Sequence, residues 1–136
     1  MPLSFTILAS GSTGNATLVA TDETTVLVDA GLSGKKIEAL MAERNVSGAD
    51  LDAILITHEH ADHIRGLGTL ARKYRLPVYA NEKTWHAMRR EIGDLDESLR
   101  RILPTGGVLE IADLRVESYA VSHDAAEPVG YCFIAG

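Results

Sequence analysis

Ala53-Ile54-Leu55-Ile56-Thr57-His58-Glu59-His60-Ala61-Asp62-His63-Ile64 passes directly from an apolar run to a cluster of side chains able to bind metal. Ala53 to Ile56 is short and almost wholly apolar, the pattern of a strand covered on both faces and therefore central in a sheet. Downstream, Ile64, Leu67, Leu70, Ala71 and Tyr74 recur at helical spacing, and Leu76-Pro77-Val78-Tyr79-Ala80 returns at once as a strand. This predicts a βαβ unit with a right-handed crossover. The histidines then lie at the C-terminal end of the first strand, where open α/β sheets bind ligands.

Working outward, Phe5 to Leu8, Ala16 to Ala20 and Thr25 to Val28 alternate with turn residues and predict antiparallel strands. Ser33 reads as the N-cap of a helix carrying Ile37, Leu40 and Met41, broken by Asn45 and Gly48. Asn81 opens another helix with Trp85, Met88 and Ile92 on one face, and Leu95, Leu99, Ile102 and Leu103 predict a further helical turn or two. The tail is β again: Val108 to Ile111, a turn at Ala112-Asp113, Leu114 to Val121, and Val129 to Ile134. The expected class is α/β (α+β), a mixed sheet with helices packed on it, with residues 1–136 forming a single domain.

Composition limits what such a domain can be. At 136 residues and 46% apolar content there is no room for a second full-size domain. No apolar run approaches the roughly 18 residues of a membrane span, and the N-terminus lacks a secretory pattern, so a cytoplasmic protein with no membrane partner is expected. The single cysteine, Cys132, rules out an internal disulfide framework; alternating with Tyr131 and Phe133, it is expected to be a small core residue. Any metal must be held by His and carboxylate. Thirteen Lys and Arg against nineteen Asp and Glu give a net charge of −6, which argues against a generally basic nucleic-acid-binding surface but leaves a local groove open. Arg72-Lys73, Arg75, Arg89-Arg90 and Arg100-Arg101 could steer a phosphate backbone toward the site, but diluted by Glu38, Glu43, Glu91 and Glu97 they read rather as solvated helix faces.

The chemistry concentrates in the histidines. His58 and His60, two apart in a turning or extended segment, can project to one side, while Asp62 and His63 at the start of the next helix can face a neighbouring point. His123 follows the strand Tyr119-Ala120-Val121 and is expected at the same end of the sheet. Joined to His58 and His60, it makes a three-histidine site with one position open for water, the arrangement of catalytic zinc. Mn and Fe share this ligand set. Water on such a metal ionises near pH 7 and becomes a hydroxide nucleophile. Asp29 alone would be a turn former before Gly31; beside the cluster it is expected to accept hydrogen bonds that fix the loop or an imidazole. Ser10 to Asn15 fits either a hairpin loop or a cradle of N–H groups for an anionic substrate. Glu59 receives no role, Asp124 either orients a ligand or caps a turn, and His86 has no metal partner at useful spacing and should be exposed.

Asp29, His58-x-His60-x-Asp62-His63 and His123, each following a strand, resemble the first three metal motifs of the metallo-β-lactamase-fold hydrolase superfamily. Leu8 to Asn15, Val28 to Gly31, and Ser122 to Ala125 with Gly130-Tyr131 resemble its YycJ/WalJ-type subgroup, whose members are regarded as phosphodiesterases or nucleases related to ribonuclease Z. The resemblance implies an αββα sandwich of two similar halves, of which this sequence matches the N-terminal one. It implies a dinuclear zinc centre in which His58, His60 and His123 hold the first metal. Asp62 and His63 hold the second, and Asp62 also acts as the water-orienting catalytic base. A bridging aspartate and a last histidine of the family have no counterpart here, so the first site should form complete and the second should keep only two protein ligands. The sequence stops at Gly136 after the apolar stretch Gly130 to Ile134, which leads to the expectation of a C-terminally truncated domain or of pairing with another chain through the incomplete sheet. The expected function is metal-dependent hydrolysis of phosphodiester bonds, with nucleic acid as substrate. The alternatives are an iron-dependent redox enzyme of the same fold and a non-catalytic metal-binding half-domain.

Overall fold

Strands β1 (Ser4–Ala9), β2 (Ala16–Ala20) and β3 (Thr25–Val28) pair antiparallel, as their intervening turn residues require. In the computed structural model, which describes residues 2–136, β3 then pairs in parallel with β4 (Ala53–Leu55), β4 with β5 (Val78–Ala80), and β5 with β6 (Arg100–Ile102). The six strands lie in sequence order across one mixed sheet. Parallel neighbours need crossovers. These are α1 (Gly34–Ala42), the pair α2 (Ala61–Ile64) and α3 (Leu67–Tyr74), and α4 (Glu82–Ile92). Consequently the C-terminal ends of β3, β4 and β5 share one rim. Ser33 and Asn81 cap α1 and α4 by accepting from the backbone N–H of Lys36 and Thr84, each worth about 1 kcal/mol.

The last three strands, β7 (Val108–Ile111), β8 (Leu114–Ala120) and β9 (Val129–Ala135), form a separate antiparallel sheet. It packs on the face of the mixed sheet away from the helices, giving three layers. The period-two alternation of strands divides the core accordingly. Leu18, Leu27, Ile54 and Val78 meet Ile37, Met41, Leu67, Leu70 and Met88 of the helices, whereas Val19, Val26 and Leu55 meet Leu114 and Val116 of the second sheet. Ile54 and Leu55 are both fully buried, as the apolar run of β4 predicts, and replacing either with Ala should cost about 2–5 kcal/mol.

Four details depart from the sequence reading. The three C-terminal strands form their own sheet and do not extend the mixed one. The helix expected from Ile64 to Tyr74 is interrupted at Gly66, whose N–H donates to Ala30 O at 2.7 Å and whose missing Cβ would lie 2.3 Å from Leu32 O. The helical turn expected around Leu99 is confined to a short 3₁₀ segment, Glu97–Leu99, after which Arg100–Ile102 extends as the edge strand β6. Finally, Cys132 is exposed and is not a core residue. Tyr131 and Phe133 both face the second core, so the residue between them points outward. Among the described residues no helix is long and apolar enough to cross a membrane.

Candidate metal centre

The centre begins with a buried aspartate. Asp29 follows β3, donates its N–H to Leu55 O at 2.8 Å, and adopts a left-handed φ of 63° that turns the chain away from the strand. Only 5% exposed, its carboxylate is used on both oxygens. Oδ1 accepts from the Thr57 N–H at 2.8 Å; Oδ2 accepts from Thr57 Oγ1 at 2.8 Å and from His63 Nδ1 at 2.6 Å. A charge taken out of water is tolerated when it is met by donors in this way.

That geometry fixes the neighbouring imidazoles. The one hydroxyl proton of Thr57 goes to Asp29, so Thr57 Oγ1 accepts at its 3.0 Å contact with His58 Nδ1, and donor counting assigns the proton of His58 to Nδ1. The lone pair then resides on Nε2, which is buried and has no hydrogen-bond partner among the described residues. A dry, unpartnered imidazole nitrogen suits a metal ion. Burial foremost, then the charged forms of His63, His123 and His60, push the His58 pKa down to about 4, so the ring is neutral near pH 7. For His63 burial opposes protonation, but the hydrogen bond and charge of Asp29, aided by Asp62, outweigh it and raise the pKa.

His58, His60 and His123 each offer a nitrogen, and these lie within 4.8 Å of one another. Their ring centroids are 4.8 Å (His58–His60), 4.5 Å (His58–His123) and 5.2 Å (His60–His123) apart. His60, at φ −64° and ψ 146°, is the extended residue that opens α2, which lets it share a side with His58. His123 arrives from the 121–128 loop between β8 and β9, and bonds in and beside the loop bring it in. Val129 N–H donates to Thr57 O at 2.9 Å, and Tyr131 Oη to Ile56 O at 2.5 Å. Ala126 N–H donates to Glu59 Oε2 at 2.9 Å, and Asn81 Nδ2 to Glu127 O at 2.8 Å. Burial holds the Tyr131 phenol well above its ordinary pKa, so it remains a donor.

Asp62 and His63 sit beside this cluster on α2, with Asp62 Oδ2 3.6 Å from His63 Nε2. They do not join the three-histidine group, although the His63 ring centroid is 3.9 Å from that of His58. Asn15 braces them. Its N–H donates to Asp62 O at 2.8 Å and its Nδ2 to Asp62 Oδ2 at 3.2 Å, with His63 Nε2 at 3.3 Å. Gly31 admits this approach, since a Cβ there would lie 1.7 Å from Asp62 O. Asn15, Thr57 and Glu59 are contacts that the sequence reading did not assign; the adjacency of Thr57 and Glu59 to the histidines was the signal available. His86 and Asp124 are exposed.

A cleft of about 1030 Å³ lies elsewhere, between α3, α4 and β6. Its four arginines, Arg72, Arg75, Arg89 and Arg100, are matched by four acidic side chains, and among the described residues it has no converging ligand set. Chemistry, not volume, makes the histidine rim the candidate site.

The metallo-beta-lactamase superfamily model matches residues 9–134. Exodeoxyribonuclease YycJ of Bacillus anthracis is 57% identical over 133 residues, covering 98% of this chain and 50% of the relative. Exodeoxyribonuclease WalJ of Streptococcus pneumoniae is 53% identical over 132 residues, covering 96% and 49%. The chain thus spans about half the length of these curated relatives. Among solved structures, MEM-A1, a subclass B3 metallo-beta-lactamase from a soil metagenome library, superposes with a TM-score of 0.78 at 22% identity, covering 98% of this chain and 55% of that one. At that identity the likeness speaks for the fold alone. The family model, spanning nearly the whole chain, and the identity to two relatives over almost all of it lead to one assignment: the chain belongs to the metallo-beta-lactamase superfamily.

Proposed function

We propose that this chain carries the first metal motifs of a metal-dependent hydrolase that cleaves phosphodiester bonds of nucleic acid. The observation that carries the reading is the convergence of His58, His60 and His123, with the unpartnered Nε2 of His58 buried among them. The substrate class is drawn from relatives named exodeoxyribonucleases. Zinc is the metal proposed, because neutral imidazoles and carboxylates are its usual ligands; Mn²⁺ and Fe use the same set. Once bound, such an ion supplies Lewis-acid polarisation of a phosphoryl oxygen and acidifies water toward neutral pH.

The chain's own residues divide the remaining work. His58, His60 and His123 would hold the first ion, and His63 with Asp62 would contribute to a second. Asp62, braced by Asn15, would orient the attacking water and take up its proton. Asp29 would keep His63 and, through Thr57, His58 in the tautomers that leave Nε2 free. Residues 1–136 are read as a single structural unit.

Hydrolysis of single-stranded DNA oligonucleotides and of bis(p-nitrophenyl) phosphate tests this, using the chain and a form extended to the length of its relatives, with Zn²⁺ or Mn²⁺. Turnover abolished by His58→Ala is the expected result. No turnover from either form with any divalent metal removes the hydrolase reading. Stoichiometric iron without hydrolysis favours a redox enzyme of the same fold.

A further inference from the structure

We propose that Glu59 is a positioning residue: its carboxylate latches the 121–128 loop to the segment carrying His58 and His60 and so delivers His123 to the ion. The inference rests on the three-histidine reading above. His123 itself is exposed, as are Val121, Ser122 and Asp124, so packing does little to hold the tip of this loop. Its base is closed by Val121 N–H on Pro128 O at 3.2 Å and by Val129 N–H on Thr57 O at 2.9 Å. Beyond that base, the 2.9 Å bond from Ala126 N–H to Glu59 Oε2 joins the His123 loop directly to the residue between His58 and His60. The link to Asn81 fixes Glu127 to the start of α4, not to the histidine segment.

A second observation points the same way. Glu59 Oε1 is buried with no hydrogen-bond partner among the described residues. Glu59 as a whole is half-buried, but leaving one carboxylate oxygen dry and unpartnered is unfavourable for stability alone, so the fold tolerates it for something other than packing. Its latch needs only an acceptor for Ala126 N–H, which an amide oxygen also provides.

The test is Zn²⁺ affinity of the whole chain, measured by chelator competition, in Glu59→Gln, Glu59→Ala, His123→Ala and the double variant Glu59→Ala/His123→Ala, with circular dichroism confirming the fold. The latch predicts that Gln stays within about threefold of the parent, that Ala weakens binding about tenfold, and that Ala adds nothing once His123 is removed. Amide hydrogen exchange at Ala126 should accelerate in Glu59→Ala and stay slow in Glu59→Gln. Glu59→Ala binding zinc as the parent does, Gln falling as far as Ala, or fully additive losses in the double variant would each overturn the proposal. If His123→Ala itself leaves affinity unchanged, the three-histidine reading fails instead, and the latch falls with it.

Discussion

The Thr57–His63 segment and the 121–128 loop bring imidazoles to the same point by different means. In the first, Asp29, Thr57 and Asn15 anchor the backbone and rings, and His58 is only 7% exposed. In the second, His123 is exposed and its loop is drawn in by bonds at Val129, Ala126 and Glu127. One half of the centre is thus preorganised by burial, and the other is delivered by the second sheet. The contrast follows from topology, because the C-terminal ends of parallel β3 and β4 are neighbours by construction of the sheet, whereas β8 and β9 belong to the second sheet and meet the rim through the bonds from Val129 to Thr57 and from Tyr131 to Ile56. Metal affinity should therefore be most sensitive on the buried side.

The largest effect is expected for His58→Ala, which removes the ring common to the close pairs; zinc affinity should fall by at least about a hundredfold in equilibrium competition. Asp29→Asn comes next. It leaves Thr57 Oγ1 and His63 Nδ1 facing an amide that cannot accept from all its donors, and should weaken zinc about 10–100-fold and stability by about 1–3 kcal/mol in urea unfolding. In the same variant the His63 pKa should fall relative to the parent, because burial is then opposed only by the charge of Asp62; ring NMR titration of the metal-free chain reads this. Thr57→Val, near-isosteric, should cost about tenfold in zinc affinity by releasing the His58 tautomer. Parity with the parent in either variant would remove the preorganisation from the account.

The pH dependence of the metal-free chain separates the two buried rings. His58, lowered to about 4, binds fewer protons folded than unfolded between that value and its ordinary 6.5, so its contribution makes stability fall as pH drops through this window. His63, raised, acts oppositely: its stabilisation is present below the unfolded pKa and lost as pH rises through the folded one. His63 should consequently titrate above His58 in an NMR series. The smallest effect on metal is expected at the opposite end of the sandwich, where Asp113 accepts from Thr21 and Thr24. Asp113→Asn should leave zinc binding unchanged. It should remove stability that the parent holds above the ordinary carboxylate pKa and loses as pH falls through Asp113's lowered one.

Much of this was legible in the sequence for physical reasons. Ala53 to Ile56 could be apolar throughout only as a strand buried on both faces, and Ser33 and Asn81 marked helix starts because their side chains replace missing intrahelical acceptors. What stayed hidden depended on contacts distant in sequence. Arg100 to Ile102 has no buried face, so nothing in its pattern announces a strand; its pairing with β5 makes it one. Cys132 was misplaced because its apolar neighbours Tyr131 and Phe133 masked the alternation that turns it outward. Glu59 reads as a spacer until the fold brings Ala126, distant in the chain, against it.

Anomalous diffraction from crystals of the zinc-loaded chain tests the shared-ion claim most directly. The account predicts one zinc about 2.0–2.1 Å from His58 Nε2 and from one ring nitrogen each of His60 and His123. A zinc held by the Thr57–His63 segment alone, with the His123 ring turned away to solvent, would contradict it.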